Sequence, residues 1–574
     1  MKQVLQNLSS GLTSIEEVPC PNSKKGNVLI KTNKSLVSAG TERMLIDFGK
    51  SGWINKARSQ PEKVKEVLEK IQTDGFSATF DAIKSKLDLP LPLGYCNVGV
   101  VENGSDTGFE EGLRVVSNGN HAEMVRVPKN LVARIPDEVD DESAVFTVMG
   151  AVALQGIRLA SPKIGELVVV TGLGLIGLLA VQILKASGCQ VLAIDLDSKK
   201  CALAKQFGAE VVDLSREEDA LLAAEKFSEG RGVDSVLITA SSDSNDIVHQ
   251  AANMCRKRGK IVLIGVVGLE LNRSDFYEKE LSFQVSCSYG PGRYDDEYEE
   301  KGNDYPYAFV RWTEQRNFEA VLGLMASGSI DTKPLVSHNF SLDNAGAAYE
   351  ALGNSSLGIV LNYLEEEINQ PLLQTVKLER TEQSSTNGGN IAFIGAGNYA
   401  SRILIPSFKK AGANLTSLVT SGGLSAKHFG KKNNFKVAST DIEEAFGEDI
   451  DLVVIATQHN LHASQALQAI EKNKHIFVEK PLALTGKEID DIESALKISG
   501  TKIMVGYNRR FSPHALKIRE LLDKKHGPKS FIITVNAGEI PLNHWTQDPK
   551  VGGGRIIGEA CHHVDLLRFL ANSK

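Results

Sequence analysis

Short apolar runs separated by turn residues fill the first part of the chain: "GNVLIKTNKSLVSAG", "GYCNVGVVENG" and "GLRVVSNGNHAEMVRVPKNLVARIP". Such runs, bounded by Gly, Asn and Ser, predict strands of a small barrel-like domain. One stretch breaks that rhythm. In "QPEKVKEVLEKIQTDGFSATFDAIKSKL", Val64, Val67, Leu68 and Ile71 recur at i, i+3, i+4 and i+7, which predicts an amphipathic helix. From about residue 150 to 285 the pattern changes to wholly apolar runs, "ELVVVTG", "CQVLAID", "DSVLITA" and "GKIVLIG", alternating with helical periodicity. That is the rhythm of a parallel sheet covered on both faces. Residues 286–364 add aromatic and charged loops, a helix and "GIVLNYL", and the polar stretch 365–389 reads as a linker with room for a short ordered part. A second alternating block follows, with "IAFIG", "NLTSLVT", "DLVVIAT", "KHIFVEK" and "KIMVGYN"; "KSFIITVNAGEI" then opens a more antiparallel unit. The fold class is therefore α/β.

Composition changes this picture little. At 574 residues the chain is too long for one core. A net charge of −7 gives no basic surface for nucleic acid or anionic lipid. The run Leu167 to Leu184 has the length of a membrane span, but its glycines fall where a strand turns into a helix, which predicts buried core and no membrane. The seven cysteines (20, 96, 189, 201, 255, 287, 561) never form a C-x-x-C pair, which argues against a disulfide framework and a four-thiolate zinc site. With no apolar signal segment in "MKQVLQNLSSGL", a cytoplasmic address is the expectation.

Two turns carry candidate chemistry. In "VVVTGLGLIG", Gly172 and Gly174 let the backbone turn and approach a pyrophosphate, and Gly177 lets helix and strand pack. Asp195 closes the next strand, where a carboxylate accepts ribose hydroxyls and repels a 2′-phosphate, so this site is expected to favour NAD. In "IAFIGAGNYA", Gly395, Gly397 and Ala400 take the same parts, yet Thr420 and Ser421 stand where the acid would be. NAD and NADP both stay open there.

Residues 1–364 resemble the medium-chain dehydrogenase/reductase family. The resemblance implies a GroES-like domain (1–145), a NAD-binding Rossmann domain (146–285) and a return segment (286–364) completing the first. Zinc-dependent members carry "CGTD" and "GHE"; here the matching stretches are "SAGTERM", with Ala39, and "LGYCNVG", with Tyr95 and Cys96. No zinc is expected. A carbonyl would then be polarised by hydrogen-bond donors, with Tyr95 and the loop residues Tyr289, Arg293 and Tyr294 as candidates; the loop equally suits a solvated surface or a subunit contact.

Residues 390–574 resemble the Gfo/Idh/MocA oxidoreductases through "IAFIGAGNYA", "VVIATQHNLHASQAL", "HIFVEKPLALT", "VGYNRRFSP" and "GGGRIIGEACHHVDLLRF". The resemblance implies a second NAD(P)-binding Rossmann domain (390–510) and the start of a substrate domain (511–574). It makes Lys480 of the E-K-P motif catalytic, with Glu479 beside it at the cofactor. It makes His562 the second catalytic group and places nicotinamide contacts at Thr457 and His462. The family's Asp four residues before that histidine is Gly558 here, so Glu559 is the candidate substitute, and Asp565 could orient His562 from the next turn. The family's substrate sheet continues well past this histidine helix, so the chain is expected to be a fragment, with a truncated α+β substrate domain and an open sheet edge.

The expected whole is a bi-domain NAD(P)-dependent oxidoreductase. Its expected partner is a small sugar, nucleotide sugar or polyol in polysaccharide metabolism, and homo-oligomerisation is left open. The alternative keeps only one half catalytic and makes the other a dinucleotide-binding or assembly module.

Overall fold

The computed structural model describes residues 1–51, 87–353, 356–363, 373–379, 388–536, 538–542 and 544–572. The helix expected around Val64–Ile71 lies outside them. The chain divides into two compact units, one made of Met1–Glu17 and Ser23–Pro371, the other of Val18–Asn22 and Leu372–Lys574.

In the first unit, strand Asn27–Val37 is the hub of a seven-stranded sheet. It pairs antiparallel with Asn97–Asn103, Met124–Pro128 and the late strand Gly358–Asn362. Ile359 and Leu361, both fully buried, belong to the same apolar cluster as Val4 and Val37. The second sheet of this unit has six parallel strands in the order Glu210–Asp213, Gln190–Asp195, Leu167–Thr171, Val233–Ile238, Cys255–Leu263 and Ser282–Val285. Its central strand shows why the apolar run 167–184 is not a membrane span: Val168, Val169 and Val170 are wholly buried, and the run breaks at Gly172 before helix Leu175–Ala186. No described helix is long and apolar enough to cross a membrane.

The second unit is built on a seven-stranded sheet in the order Thr375–Lys377, Val437–Ser439, Asn414–Val419, Asn390–Ile394, Leu452–Ile455, His475–Val478 and Ile503–Val505. All neighbours are parallel except the first pair. Thr375–Lys377 lies inside the stretch read as linker. It becomes a strand because Val376 is buried and the Thr375 hydroxyl lies 2.8 Å from that of Ser439. The opposite surprise comes at "KSFIITVNAGEI", where no strand forms among the described residues and Ile532 is 91% exposed. β-Branched composition alone does not make a strand without a partner edge. Beyond it, a π-turn Ile556–Ala560 runs into helix Cys561–Ala571.

Candidate functional site

In the first unit, strand Leu167–Thr171 delivers the chain to Gly172, whose φ of +96° and whose closeness to Ala240 both exclude a side chain: a Cβ would sit 2.5 Å from the Ala240 nitrogen. At Gly177 a Cβ would fall 2.0 Å from the Gly172 oxygen, so this glycine lets helix Leu175–Ala186 close on the turn. Gly174, at the helix N-cap, differs, since a Cβ there meets nothing within 4 Å. That open space in front of unpaired helix N–H groups fits a pyrophosphate. Asp195 is locked at the end of the neighbouring strand, its carboxylate accepting from the Leu173 and Asp197 backbone N–H at 2.5 and 2.8 Å.

The second turn repeats the arrangement. Gly395 has φ +101°, and a Cβ would lie 2.4 Å from the Ala456 oxygen; at Gly397 a Cβ meets nothing within 4 Å. Ala400, buried, opens a π-turn Ala400–Leu404 that leads into helix Ile405–Lys410. Pro406 in that helix has no N–H to give, which suits a locally widened turn before it. Thr420, in the place of the missing acid, has a buried hydroxyl with no hydrogen-bond partner among the described residues.

A cavity of about 1010 Å³ runs from this turn to Lys480 and His562. Lys480 Nζ donates to the Gly558 carbonyl at 2.5 Å. Glycine at 558 is required by room: a Cβ would lie 2.7 Å from the Gly552 oxygen. His562 leaves Nδ1 buried with no hydrogen-bond partner among the described residues. Burial, then Lys480 and Arg509, push its pKa down to about 4, so the imidazole is neutral at neutral pH. Glu479 also has a buried carboxyl oxygen without a described partner, and burial pushes it up to about 7 against the pull of Lys480. Gly506 makes room for it, since a Cβ there would be 2.7 Å from Glu479 Oε1.

Other expected residues are placed differently. Glu559 lies 2.9 Å from Arg555 Nε, at the surface, and Asp565 accepts both Nε (2.9 Å) and a terminal nitrogen of Arg510. Glu559, read as the substitute for the family's Asp, and Asp565, read as orienting His562, are thus each engaged by an arginine, while the Asp565 charge still acts to raise His562. Thr457 donates its hydroxyl to Gln465 at 2.7 Å. His462 borders the cavity, but its ring nitrogens face the carbonyls of Pro481 (2.7 Å) and Thr457 (3.1 Å), bracing the two loops. Sequence reasoning missed His459, whose Nδ1 donates to Gly552 O at 2.8 Å and whose ring meets Trp545 edge-on at 4.8 Å. It also missed Asn508, which donates to the Tyr399 hydroxyl at 2.7 Å. The stretch "ATQHNLH" after a strand end was the only available signal for the first.

In the first unit, the three positions matched to the zinc motifs carry a poor set of donors. Ala39 offers no donor, Tyr95 donates to Ser38 Oγ at 2.8 Å, and burial pushes the Cys96 thiol far up, keeping it protonated. Nearby, Glu42 and His121 are engaged with each other at 3.2 Å, and Glu42 also accepts from Tyr349 at 2.5 Å. Among the described residues no three His, Cys, Asp or Glu side chains converge on a metal position. In the loop, Tyr289 is buried with its hydroxyl accepting from Asn118 at 3.2 Å, Arg293 pairs with Glu299 at 2.5 Å, and Tyr294 is exposed.

Residues 176–301 match the family described as "Zinc-binding dehydrogenase", and residues 389–507 match "Oxidoreductase family, NAD-binding Rossmann fold". One relative is an uncharacterized zinc-type alcohol dehydrogenase-like protein of Escherichia coli (strain K12), 27% identical over 241 residues, 41% of this chain and 60% of that protein. Another is a 1,5-anhydro-D-fructose reductase of Ensifer adhaerens, 27% identical over 184 residues, 31% of this chain and 55% of that protein. The chain thus spans little more than half the length of either relative. Among solved structures, galactitol-1-phosphate dehydrogenase from Escherichia coli aligns with a TM-score of 0.49 and 20% identity over 63% of this chain and 100% of its own. Two separate parts of the chain thus resemble two families, residues 176–301 the zinc-binding dehydrogenases and residues 389–507 the oxidoreductases with a NAD-binding Rossmann fold.

Proposed function

We propose that the second unit is an NAD(P)-dependent oxidoreductase acting on a hydroxyl-bearing carbon of a sugar, nucleotide sugar or polyol. The first unit, in this reading, binds NAD and needs no zinc. The observation that carries it is that Lys480, His562 and the Gly395–Ala400 turn border one cavity. A bound nicotinamide dinucleotide would supply the hydride acceptor or donor. The protein's own residues handle the proton. In the oxidising direction His562 Nδ1, neutral and without a described partner, receives the hydroxyl proton, while the Lys480 ammonium stabilises charge developing on that oxygen. In the reducing direction the same nitrogen returns it. Glu479, held near its midpoint at neutral pH, sits beside Lys480 as a further proton-holding group.

The relatives' names, 1,5-anhydro-D-fructose reductase and sorbitol dehydrogenase, support a polyhydroxylated substrate. The test is to assay the full chain with NAD+ and NADP+ against a panel of sugars, nucleotide sugars and polyols. Lys480→Met should lower turnover by at least about 100-fold with dinucleotide binding retained; unchanged turnover would overturn the assignment. The donor-poor set Ala39, Tyr95 and Cys96 favours a second reading, in which the first unit binds dinucleotide without turnover. In that case Lys480→Met silences the whole chain.

A further inference from the structure

We infer that the segment Val18–Asn22 builds the adenosine end of the second dinucleotide site, and that Asn22 contacts the cofactor there. This rests on the dinucleotide reading of the same cavity. In a strand-turn-helix site of this kind the ribose is met by the residue that closes the next strand. That strand is Asn414–Val419, and it ends in Thr420 and Ser421, with no carboxylate. The cavity wall continues past them to Thr440 and to Asn22. Thr440 follows strand Val437–Ser439, four places in the sheet from His475–Val478, which delivers Lys480. Four strand spacings come to roughly 19 Å, which separates the Asn22 end of the cavity from its reacting end.

The segment is fixed from several sides. Cys20 N donates to Leu373 O at 3.1 Å, and Thr440 Oγ1 donates to Cys20 O at 2.5 Å. Asn22 Nδ2 donates to Thr440 O at 2.5 Å, and its Oδ1 accepts from Gln374 Nε2, so the carboxamide is held in one orientation. Gly423, with φ +81°, is the residue that lets the segment approach: a Cβ there would lie 2.4 Å from the Pro19 oxygen. The adenosine end is therefore lined by a rigid neutral amide and by hydroxyls, Ser421 and Ser425 among them. Such groups hydrogen-bond ribose oxygens without the charge repulsion by which a carboxylate rejects a 2′-phosphate. The site takes both NAD and NADP, with weak discrimination, and Asn22 is where that discrimination can be changed.

The experiment uses calorimetric titration of NAD+ and NADP+ into the full chain carrying Gly174→Val, which closes the first turn and leaves the second site to be read. Asn22→Ala should weaken both dinucleotides about fivefold, the effect of one neutral hydrogen bond. Asn22→Asp keeps the size but adds a charge, and should weaken NADP+ at least about tenfold more than NAD+. That ratio is one that a merely loosened segment would not move. If both variants stay within about twofold of the Gly174→Val parent for both dinucleotides, the inference is overturned and the proposed cofactor site stands. If the parent binds neither dinucleotide, the proposed cofactor site fails, and the inference with it.

Discussion

Around Lys480 three groups share one electrostatic environment, and their responses to a single substitution differ in a readable way. His562 is held down to about 4 by burial first and by the cations Lys480 and Arg509 next. Glu479 is held up to about 7 by burial, while Lys480 works in the opposite sense. Lys480→Met removes one positive charge without removing the burial. The His562 titration should then move up toward its ordinary value and that of Glu479 should move above about 7, both followed by NMR. No movement at His562 would mean that desolvation alone sets its state. The sign for stability follows: a histidine with a depressed folded value binds its proton more readily when unfolded, so it costs stability as pH falls from about 6.5 toward about 4. That Lys480 and His562 border one cavity with the Gly395–Ala400 turn was legible in the sequence because their motifs are local. The partners of Glu559 and Asp565 were not, since Arg555 and Arg510 compete for them through geometry that spacing along one helix does not report.

Elements were most legible where periodicity and glycine punctuation agreed, as at Leu167–Thr171 with Leu175–Ala186 and at Asn390–Ile394. Strands of three residues, such as Thr375–Lys377 and Val437–Ser439, hold too few positions to show a period, and they exist through their neighbours, Thr375–Lys377 pairing with Val437–Ser439 and the latter also with Asn414–Val419. The segment Val18–Asn22 was invisible for the same reason, its role being set by contacts more than 400 residues away, as between Cys20 and Thr440. Helix Glu314–Ala326 offers an element-scale test. Its first residue, Glu314, is fully buried, both carboxyl oxygens lack a hydrogen-bond partner among the described residues, and burial with the adjacent Glu299 pushes it up to about 9. A carboxyl raised in the folded state gives stability that is whole below its ordinary value and is lost as pH rises toward about 9. Glu314→Gln keeps the shape and removes the charge. Its melting temperature should match the parent at mildly acidic pH and exceed it in alkaline solution; identical pH profiles would show that Glu314 is already ionised at neutral pH.

At the scale of the whole chain, the proposed function predicts two dinucleotides bound per chain, and the structure supplies probes of that count. Most glycines in the turns cannot be changed without damaging the fold: Gly172 and Gly395 have positive φ, and a Cβ at Gly177 would strike backbone at 2.0 Å. Gly174 and Gly397 are the exceptions, with negative or extended backbone and nothing within 4 Å of an added Cβ. The space that makes valine harmless there to packing is the space a pyrophosphate needs. Gly174→Val and Gly397→Val should each melt like the parent without cofactor, and each should lower the calorimetric stoichiometry for NAD+ from two to one; the double variant should bind none. A bound dinucleotide at a hundredfold its Kd stabilises the unit that holds it by about 2.7 kcal/mol, so in each single variant only the intact unit should gain thermal stability on adding NAD+. A stoichiometry that stays at two in either variant would place the pyrophosphate elsewhere. A parent value of one, abolished by only one of the substitutions, would identify which of the two units keeps a working dinucleotide site.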